Sequence, residues 1–344
     1  MNFCSDNVTG VSPEIAAAVA GANTGPAMPY GNDPATGAVE KTIAALFEAP
    51  ADVFLLATGT ASNALALAVL TPPYGSIYCH PEAHIHVDEC GAPEFYTGGA
   101  KLVPLPDRGG KISADDLAAV LKHEHDDVHH VKPSTVSLTQ LGETGALYSI
   151  DEIRAITTVA HDHGLKVHMD GARFANAVAA LGCSPADITS KAGIDVLSFG
   201  ASKNGAFAAE AVVLFTPGLA TQFAYRRKRA GHLFSKMRFL AAQFEAYLKD
   251  DLWLKSARHA NDCMKILAQG LADIGDIELL FPADANMVFA KLPNTMIEGL
   301  RANGFEFYDW PGEERSVIRL VTAFNTTKED AQAYVAQARR LSNS

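Results

Sequence analysis

The chain has 344 residues, of which 48% are hydrophobic and 19% charged, and its formal net charge is −11. This composition is typical of a globular protein with a sizeable core, and the negative charge argues against broad electrostatic binding to nucleic acid or anionic membrane. The five cysteines are scattered and show no CxxC or metal-ligand spacing, which predicts reduced thiols. Because the sequence shows no signal-peptide pattern and no uncharged apolar run of about 18 residues, we expect a cytoplasmic protein.

From about residue 35 to residue 215 the sequence alternates between helical and strand-like patterns. Helical spacing of apolar residues predicts helices over 37–49, 61–70, 113–124 and 149–164, and Ser113 and Ser149 are candidate N-caps. Short apolar runs predict strands over 53–57, 76–79, 100–105, 128–138, 165–170, 195–200 and 210–215. This alternation predicts an α/β domain with a mostly parallel sheet covered by helices on both faces.

The pattern changes after about residue 218. A basic helical stretch leads into a long helical region that reaches about residue 274, and strand-like runs follow at 277–281, 286–292 and 317–324. A helical tail covers 329–341. We therefore expect an N-terminal arm (1–25), a large domain (26–230) and a smaller C-terminal α+β domain (231–344).

Polar residues follow three of the predicted strands of the large domain. Thr58, Gly59 and Thr60 follow the first strand, Asp170 follows the run LKVHM, and Lys203 follows VLSFGAS. Ligands of parallel α/β sheets bind beyond the carboxyl ends of the strands. The three segments are therefore expected to meet in one crevice.

Lys203 lies among small residues, where an ordinary turn lysine is the commonest explanation. Its order, Ser-Lys-Asn-Gly, does not match the phosphate loop GxxxxGK[ST]. Asp170 precedes it by about one βαβ crossover, so both side chains can reach one crevice. Asp170 alone also suits a helix N-cap. A buried lysine facing a buried carboxylate is the arrangement with which proteins hold pyridoxal phosphate (PLP), because the lysine forms a Schiff base and the acid binds the ring nitrogen.

The turn of Thr58, Gly59 and Thr60 supplies the third expected anchor. It connects a strand to a helix, and the free N–H groups of a helix N-terminus bind phosphate. Alone, such a turn is common in α/β proteins. Together with Lys203 and Asp170, it predicts a PLP site.

Six segments resemble the low-specificity L-threonine aldolases. They are YGNDP (30–34), ATGTASN (57–63), EAHIHVDECGA (82–92), HMDGAR (168–173), SFGASKNG (198–205) and VIRLVTAF (317–324). The resemblance covers nearly the whole chain in order. It implies PLP fold type I, with a mostly parallel, seven-stranded sheet in the large domain and a smaller α+β domain. It also implies cleavage of L-threonine, L-allo-threonine or related β-hydroxy-α-amino acids to glycine and an aldehyde.

The resemblance also assigns roles to the cofactor-binding residues. Lys203 would form the Schiff base, Asp170 would bind the ring nitrogen, and residues 58–60 would bind the phosphate. His84 would stack on the cofactor ring and assist proton transfer. Alternatively, His84 is a structural histidine at the surface. Glu89 either forms a hydrogen bond near His84 or is an exposed carboxylate on a helix.

Further residues are implied to bind the substrate or to complete the site. Ser5, Arg173 and Arg319 would hold the substrate carboxylate, and Arg173 would also contact the cofactor. Arg173 could instead be a salt-bridge residue, whereas Arg319, between aliphatic strand residues, calls for a buried anionic partner. Lys228 would reach a phosphate across a dimer interface, in a homodimer or homotetramer. The histidine-rich runs 123–130 and 161–164 resemble metal sites only superficially, and we expect no metal.

The sequence departs from the family after the strand VSLT. Many members carry a histidine there that contacts the substrate hydroxyl, whereas this chain reads QLGETG, with Gln140 or Glu143 in its place. The identity of the substrate side chain is therefore undecided, and a phenylserine-type aldolase is one alternative. Transamination and β-elimination remain PLP-dependent alternatives. A nucleotide-binding dehydrogenase would require a GxGxxG after the first strand, which the chain lacks.

Overall fold

The structure, a computed structural model, describes residues 1–123, 127–310 and 316–343. The helices are α1 (Pro13–Gly21), α2 (Pro34–Ala45), α3 (Gly59–Leu70), α4 (His84–Val87), α5 (Ala92–Thr97), α6 (Ala114–Leu121), α7 (Ile150–Asp162), α8 (Phe174–Leu181), α9 (Ala220–Arg229), α10 (Arg238–Leu248), α11 (Leu252–Ala272), α12 (Asn294–Ala302) and α13 (Lys328–Ser342). The strands are β1 (Asp52–Leu56), β2 (Gly75–Cys79), β3 (Lys101–Pro104), β4 (Lys132–Thr139), β5 (Lys166–Gly171), β6 (Val196–Gly200), β7 (Glu210–Leu214), β8 (Glu278–Leu279), β9 (Met287–Lys291), β10 (Tyr308–Asp309) and β11 (Val317–Val321).

The large sheet has seven strands in the order β1-β7-β6-β5-β4-β2-β3. Strand β7 is antiparallel to both neighbours, and the other adjacent pairs are parallel. The carboxyl ends of β1, β4, β5 and β6 therefore lie at one end of the sheet, together with the amino end of β7. This arrangement confirms the expected α/β architecture with a mostly parallel sheet.

The smaller sheet is antiparallel, in the order β10-β11-β9-β8. The N-terminal segment joins it, because Phe3 N–H donates to the Glu306 carbonyl at 2.8 Å and the Phe3 carbonyl accepts from Val321 N–H at 2.9 Å. Phe3 is buried in the core of this sheet against Tyr334. This pairing places the residues that follow Phe3, such as Asp6, between the two sheets.

Two main hydrophobic cores accompany the two sheets. The core of the large sheet includes Met237, the residue before α10, Phe244 of α10 and Trp253 at the start of α11. Met264 and Leu267, further along α11, belong to the second core. Helix α11 thus connects both cores. The division of the chain at residues 25 and 230 stays a prediction.

Local signals explain several element boundaries. Ser113 Oγ accepts from Asp116 N–H at 3.1 Å and Ser149 Oγ from Glu152 N–H at 3.2 Å, so both predicted N-caps are confirmed. The strand expected over 128–138 begins only at Lys132. The basic helical stretch and the long helical region expected between about residues 218 and 274 form three helices, α9 to α11. A break follows α9 at Gly231, whose φ of +80° is unsuited to a helix.

None of the helices in the described ranges has both the length and the apolar character that a membrane span requires. In the run 161–164, His161 Nε2 lies 2.9 Å from Asp195 Oδ2, and His163 Nδ1 lies 2.9 Å from the Val159 carbonyl. Part of the run 123–130, residues 124–126, lies outside the described residues. Among those described, no group of three or more metal-binding side chains is assembled.

Candidate active site

A cavity of about 290 Å³ lies beyond the carboxyl ends of the parallel strands. Its walls include six of the residues expected from the sequence: Thr58, Gly59, Thr60, His84, Asp170 and Lys203. They also include Asn7, Asn63, Glu89, Phe207 and Glu210, among others. The turn after β1, the end of β5 and the turn after β6 therefore do meet at one cavity.

Lys203 lies in a single helical turn, Ser202–Asn204, that follows β6. The turn is anchored by Asn204, whose Nδ2 donates to Tyr247 Oη at 2.9 Å and to the Trp253 carbonyl at 2.8 Å. Gly205 ends the turn with φ of +109°, a conformation that favours glycine. The Lys203 amine makes no hydrogen bond or ion pair with any described residue. Within the described ranges, no other lysine and no arginine lines the cavity.

Asp170 is 2% exposed near the end of β5, where it pairs with Thr139 and Ser198 on the neighbouring strands. Its Oδ2 accepts from Asn63 Nδ2 at 2.9 Å, and its Oδ1 accepts from Ala172 N–H at 3.0 Å. The alternative role as N-cap of α8 is not seen, because Arg173 occupies the N-cap position. Two hydrogen bonds thus hold the Asp170 carboxylate in place inside the cavity.

His84 is connected to Asp170 through two intervening side chains. Its Nδ1 lies 2.9 Å from Glu89 Oε1, and the same oxygen accepts from Asn63 Nδ2 at 2.9 Å, which also donates to Asp170. Glu89 is therefore a buried partner of His84, not an exposed helix carboxylate. The hydrogen bond with Glu89 raises the pKa of His84 above its ordinary value, although burial acts to lower it. The negative charges of Glu143 and Asp170 also raise it.

The turn before α3 presents backbone donors to the same cavity. Thr58 is the N-cap, and its Oγ1 accepts from Ala61 N–H at 3.3 Å. No described residue accepts from the N–H groups of Gly59 and Thr60, the first two of the helix. Because these N–H groups and the helix dipole favour an anion, the turn is suited to a phosphate.

Arg173 is committed to an internal ion pair. Its Nε and Nη2 donate to the two carboxylate oxygens of Asp6 at 2.7 and 3.0 Å, and both residues are buried. Burial acts to raise the pKa of Asp6, but the Arg173 guanidinium and the Lys203 ammonium outweigh it and hold that pKa below its ordinary value. The salt-bridge alternative for Arg173 is therefore what the structure contains.

Arg319 lies on β11 close to this pair. Its Nη2 donates to the Cys4 carbonyl at 3.2 Å, while its buried Nε has no partner among the described residues. The guanidinium lies over the rings of Tyr308 and Trp310, at 5.4 and 5.8 Å from their centroids. The buried anionic partner expected for Arg319 is not found as an ion pair within the described chain.

Ser5, Arg173 and Arg319 adjoin the cavity without lining it, and residue 7 of the same N-terminal segment does line it. Ser5 Oγ accepts from Asn7 N–H at 3.1 Å. Lys228, on α9, lies outside the cavity with its Nζ 4.7 Å from the centroid of the Tyr30 ring. The substrate and phosphate roles of these residues stay predictions.

The structure separates the two candidates for the place of the missing histidine. Gln140 is fully buried and bonded to the backbone of Tyr148 through both its Nε2 and its Oε1, at 2.9 and 3.1 Å. Glu143 lies close enough to affect the charged states of His84, Arg173 and Arg319. Of the two, Glu143 is therefore the one whose charge reaches the site, although neither residue lines the cavity.

Sequence reasoning missed Asn63 and Glu210 and left Glu89 undecided. Asn63 and Glu89 are hard to recognise because their importance depends on side chains far along the chain. Glu210 gave a signal that was overlooked: it is a carboxylate at the start of an otherwise apolar strand. Such a residue calls for an explanation.

Comparison with known proteins identifies the family. A family model described as beta-eliminating lyase matches residues 2–294. The sequence is 47% identical over 312 residues to the low specificity L-threonine aldolase of Pseudomonas aeruginosa, with 90% of each chain covered. It is 43% identical over 340 residues to that of Pseudomonas sp., with 98% of this chain and 97% of the relative covered.

The fold superposes on a threonine aldolase of Leishmania major with a TM-score of 0.93, at 30% identity over 99% of both chains. The expected fold type I is thereby confirmed, and the chain belongs to the beta-eliminating lyase family and, within it, to the low-specificity L-threonine aldolases.

Proposed function

We propose that this chain cleaves β-hydroxy-α-amino acids, such as L-threonine or L-allo-threonine, to glycine and an aldehyde with the help of PLP. The observation that carries the proposal is the convergence of Lys203, Asp170 and the turn of residues 58–60 on one cavity, in a chain related to the aldolases. Phenylserine and other β-aryl substrates belong to the same class, and Glu143 is the residue expected to influence that choice.

The residues of the cavity suit PLP in their chemistry. Lys203 offers an amine without a competing partner, and Asp170 offers a carboxylate held by Asn63 and the backbone. The free N–H groups at the start of α3 suit a phosphate, and His84 lies on the same wall. When bound, PLP supplies an aldehyde that condenses with amines and a ring that withdraws electrons from the bond to be broken.

Within this site the protein positions groups and moves protons. Lys203 would hold the cofactor through its amine, and Asp170 would hold the ring nitrogen in its protonated form. His84 accepts the proton of the substrate β-hydroxyl at Nε2, because its Nδ1 is already directed at Glu89. The raised pKa of His84 strengthens it as a base.

Arg319 is the proposed anchor of the substrate carboxylate, because its Nε is still available. Arg173 contributes its positive charge and holds the N-terminal segment through Asp6, which places Ser5 beside the site. A carboxylate fixed in this way sets the orientation of the scissile Cα–Cβ bond.

We further propose a cytoplasmic homodimer or homotetramer whose sites lie at a subunit interface, with a small amino acid as the ligand and neither nucleic acid nor membrane as a partner. Lys228 supports this arrangement, because it belongs to the basic helix α9 and does not line its own chain's cavity. In a dimer it would complete the phosphate site of the other subunit.

The test is to incubate the PLP-loaded protein with L-threonine and to identify the products. Glycine and acetaldehyde in equal amounts are expected, and Lys203→Ala should abolish them, whereas Lys101→Ala, at an exposed position on β3, should not. Formation of 2-oxobutyrate and ammonia would instead establish β-elimination and refute the proposal. L-allo-threonine, the two D-forms and phenylserine define the preferred side chain and stereochemistry.

A further inference from the structure

Glu210 is a buried carboxylate in the wall of the active-site cavity. It is 6% exposed, and it is the first residue of β7, paired with Leu56 on β1 and Gly200 on β6. Because β7 runs against its neighbours, its amino end lies where the other strands have their carboxyl ends. The antiparallel strand thus brings a carboxylate to the site of Lys203 and Asp170.

A glycine on the adjacent strand makes room for this carboxylate. A Cβ atom at Gly200 would lie 3.1 Å from Glu210 Oε2 and 2.9 Å from both Cα and the carbonyl oxygen of Ala172. The Glu210 side chain therefore extends across β6. It lies in the same cavity wall as Lys203, and Gly200, its partner on β6, ends that strand three positions before Lys203.

Several charged or titratable groups surround Glu210. The charges of Lys203, in the turn after β6, and of Asp170, on β5, act on Glu210, and the charge of Glu210 acts on Tyr247 of α10. Burial raises the pKa of Glu210 to about 7, while Ser202 and Lys203 oppose that rise and Asp170 adds to it. His84 and Glu89, further along the cavity wall, are engaged with each other.

Asp6 shows what distinguishes Glu210 from a structural ion pair. Both carboxylates are buried, but Asp6 is held by the two-point contact with Arg173 and its pKa is lowered. Glu210 forms no such ion pair within the described chain, and Lys203 is the cation whose charge acts to lower its pKa. A buried carboxylate without a fixed counter-ion exchanges protons readily near neutral pH.

We propose that Glu210 is the proton-transfer partner of Lys203. The Lys203 ammonium gives one proton to the Glu210 carboxylate, which leaves a neutral amine with a free electron pair and a carboxylic acid. The proton returns when the amine is released again, so no other reactant is needed. The other cavity carboxylates are engaged, Asp170 with Asn63 and Glu89 with His84. The inference deepens the proposed function and rests on it for the reaction in which the amine takes part.

The first experiment measures the reactivity of the Lys203 amine directly, independently of aldol cleavage. Trace acetylation of the cofactor-free protein over a range of pH, read by mass spectrometry, gives the pKa of that amine. Glu210→Gln keeps the shape but loses the negative charge that favours the ammonium form of Lys203, so acetylation at pH 7 should rise about tenfold. Glu40→Gln is the matched control, because Glu40 is a second carboxylate whose pKa is raised to about 7, and it does not line the cavity.

The second experiment uses the PLP-loaded enzyme. Glu210→Gln should lower kcat by roughly 10- to 100-fold with KM changed less than about threefold, and should remove the ionisation near pH 7 from the pH profile of kcat. Glu210→Asp, which restores an ionisable group, should recover part of the rate. Unchanged acetylation of Lys203 in Glu210→Gln, or an unchanged pH profile, would overturn the inference. If the acetylation responds while the wild-type enzyme forms no glycine from any β-hydroxy amino acid, the proposed function fails and the pairing of Glu210 with Lys203 stands.

Discussion

Replacing Asp6 by alanine should destabilise the protein by about 3–5 kcal/mol, because it leaves the buried Arg173 guanidinium without its counter-ion. The size of the effect follows from the geometry. Asp6 is 1% and Arg173 4% exposed, the two hydrogen bonds measure 2.7 and 3.0 Å, and Asn286 Nδ2 donates a third at 3.2 Å. Water cannot replace these contacts without opening the junction between the N-terminal segment and the two sheets.

The assay is equilibrium unfolding in urea, applied as a double-mutant cycle with Asp6→Ala, Arg173→Ala and the double variant. We expect a coupling of at least about 2 kcal/mol between the two sites. The pair of Arg108 and Asp116 is the matched control, because it has the same two-point geometry, with both distances 2.8 Å, but Arg108 is exposed. Its coupling should be a small fraction of that of the buried pair.

The pH dependence provides a second check. Because the pKa of Asp6 is lower in the folded protein than its ordinary value of 3.8, its ionised form stabilises the fold above that value, and this stabilisation is lost as the pH falls through the folded pKa. The difference between wild type and Asp6→Ala should therefore be constant above about pH 5 and shrink below about pH 4. Additive single substitutions, or a coupling equal to that of the exposed pair, would refute the reasoning.

Three further predictions concern single residues. Glu89→Gln should lower the pKa of His84, as an NMR titration of the imidazole will show; an unchanged pKa would mean that the 2.9 Å contact is not maintained in solution. Glu40→Gln should stabilise the protein by about 1 kcal/mol at pH 8 and not at pH 4. The reason is that the pKa of Glu40 is raised from 4.5 to about 7 in the folded protein, so its ionisation above pH 4.5 costs stability. If the variant and the wild type had equal urea midpoints at both pH values, this prediction would be contradicted. Gly200→Ala should destabilise by about 1–3 kcal/mol in urea, because the new methyl group meets the Ala172 backbone at 2.9 Å, and a neutral effect would show that the strand can shift.

The main features of the site could be predicted from the sequence because they depend on local patterns. Lys203, Asp170 and the turn of residues 58–60 each follow a short apolar run, and parallel strands place such positions at the same end of a sheet. The N-caps Ser113 and Ser149 were predictable for the same reason, because a cap bonds within its own turn. The resemblance added His84, Ser5, Arg173, Arg319 and Lys228, whose roles remain proposals.

The missed features depend on contacts between distant parts of the chain. Asn63 joins Glu89 and Asp170, and it is 107 positions from the latter. The sequence could not separate Gln140 from Glu143, because the choice depends on which of the two side chains bonds to the loop that follows them. In the structure, Gln140 bonds to the backbone of Tyr148. The 128–138 strand prediction was too long at its start, and the region after residue 218 was divided by a turn at Gly231 that the helical pattern does not reveal.

The sequence by itself therefore determined the α/β class, the positions of Lys203, Asp170 and the turn of residues 58–60, and the likeness of the chain to one enzyme family. Only the tertiary structure decided how the surrounding charges are paired. Asp6 neutralises Arg173 across 167 positions, and Glu210 lines the same cavity as Lys203 because β7 runs antiparallel between β1 and β6. The physical reason is that the state of a buried charge depends on every group that burial brings near it, and strand order and direction, not local sequence, choose those groups.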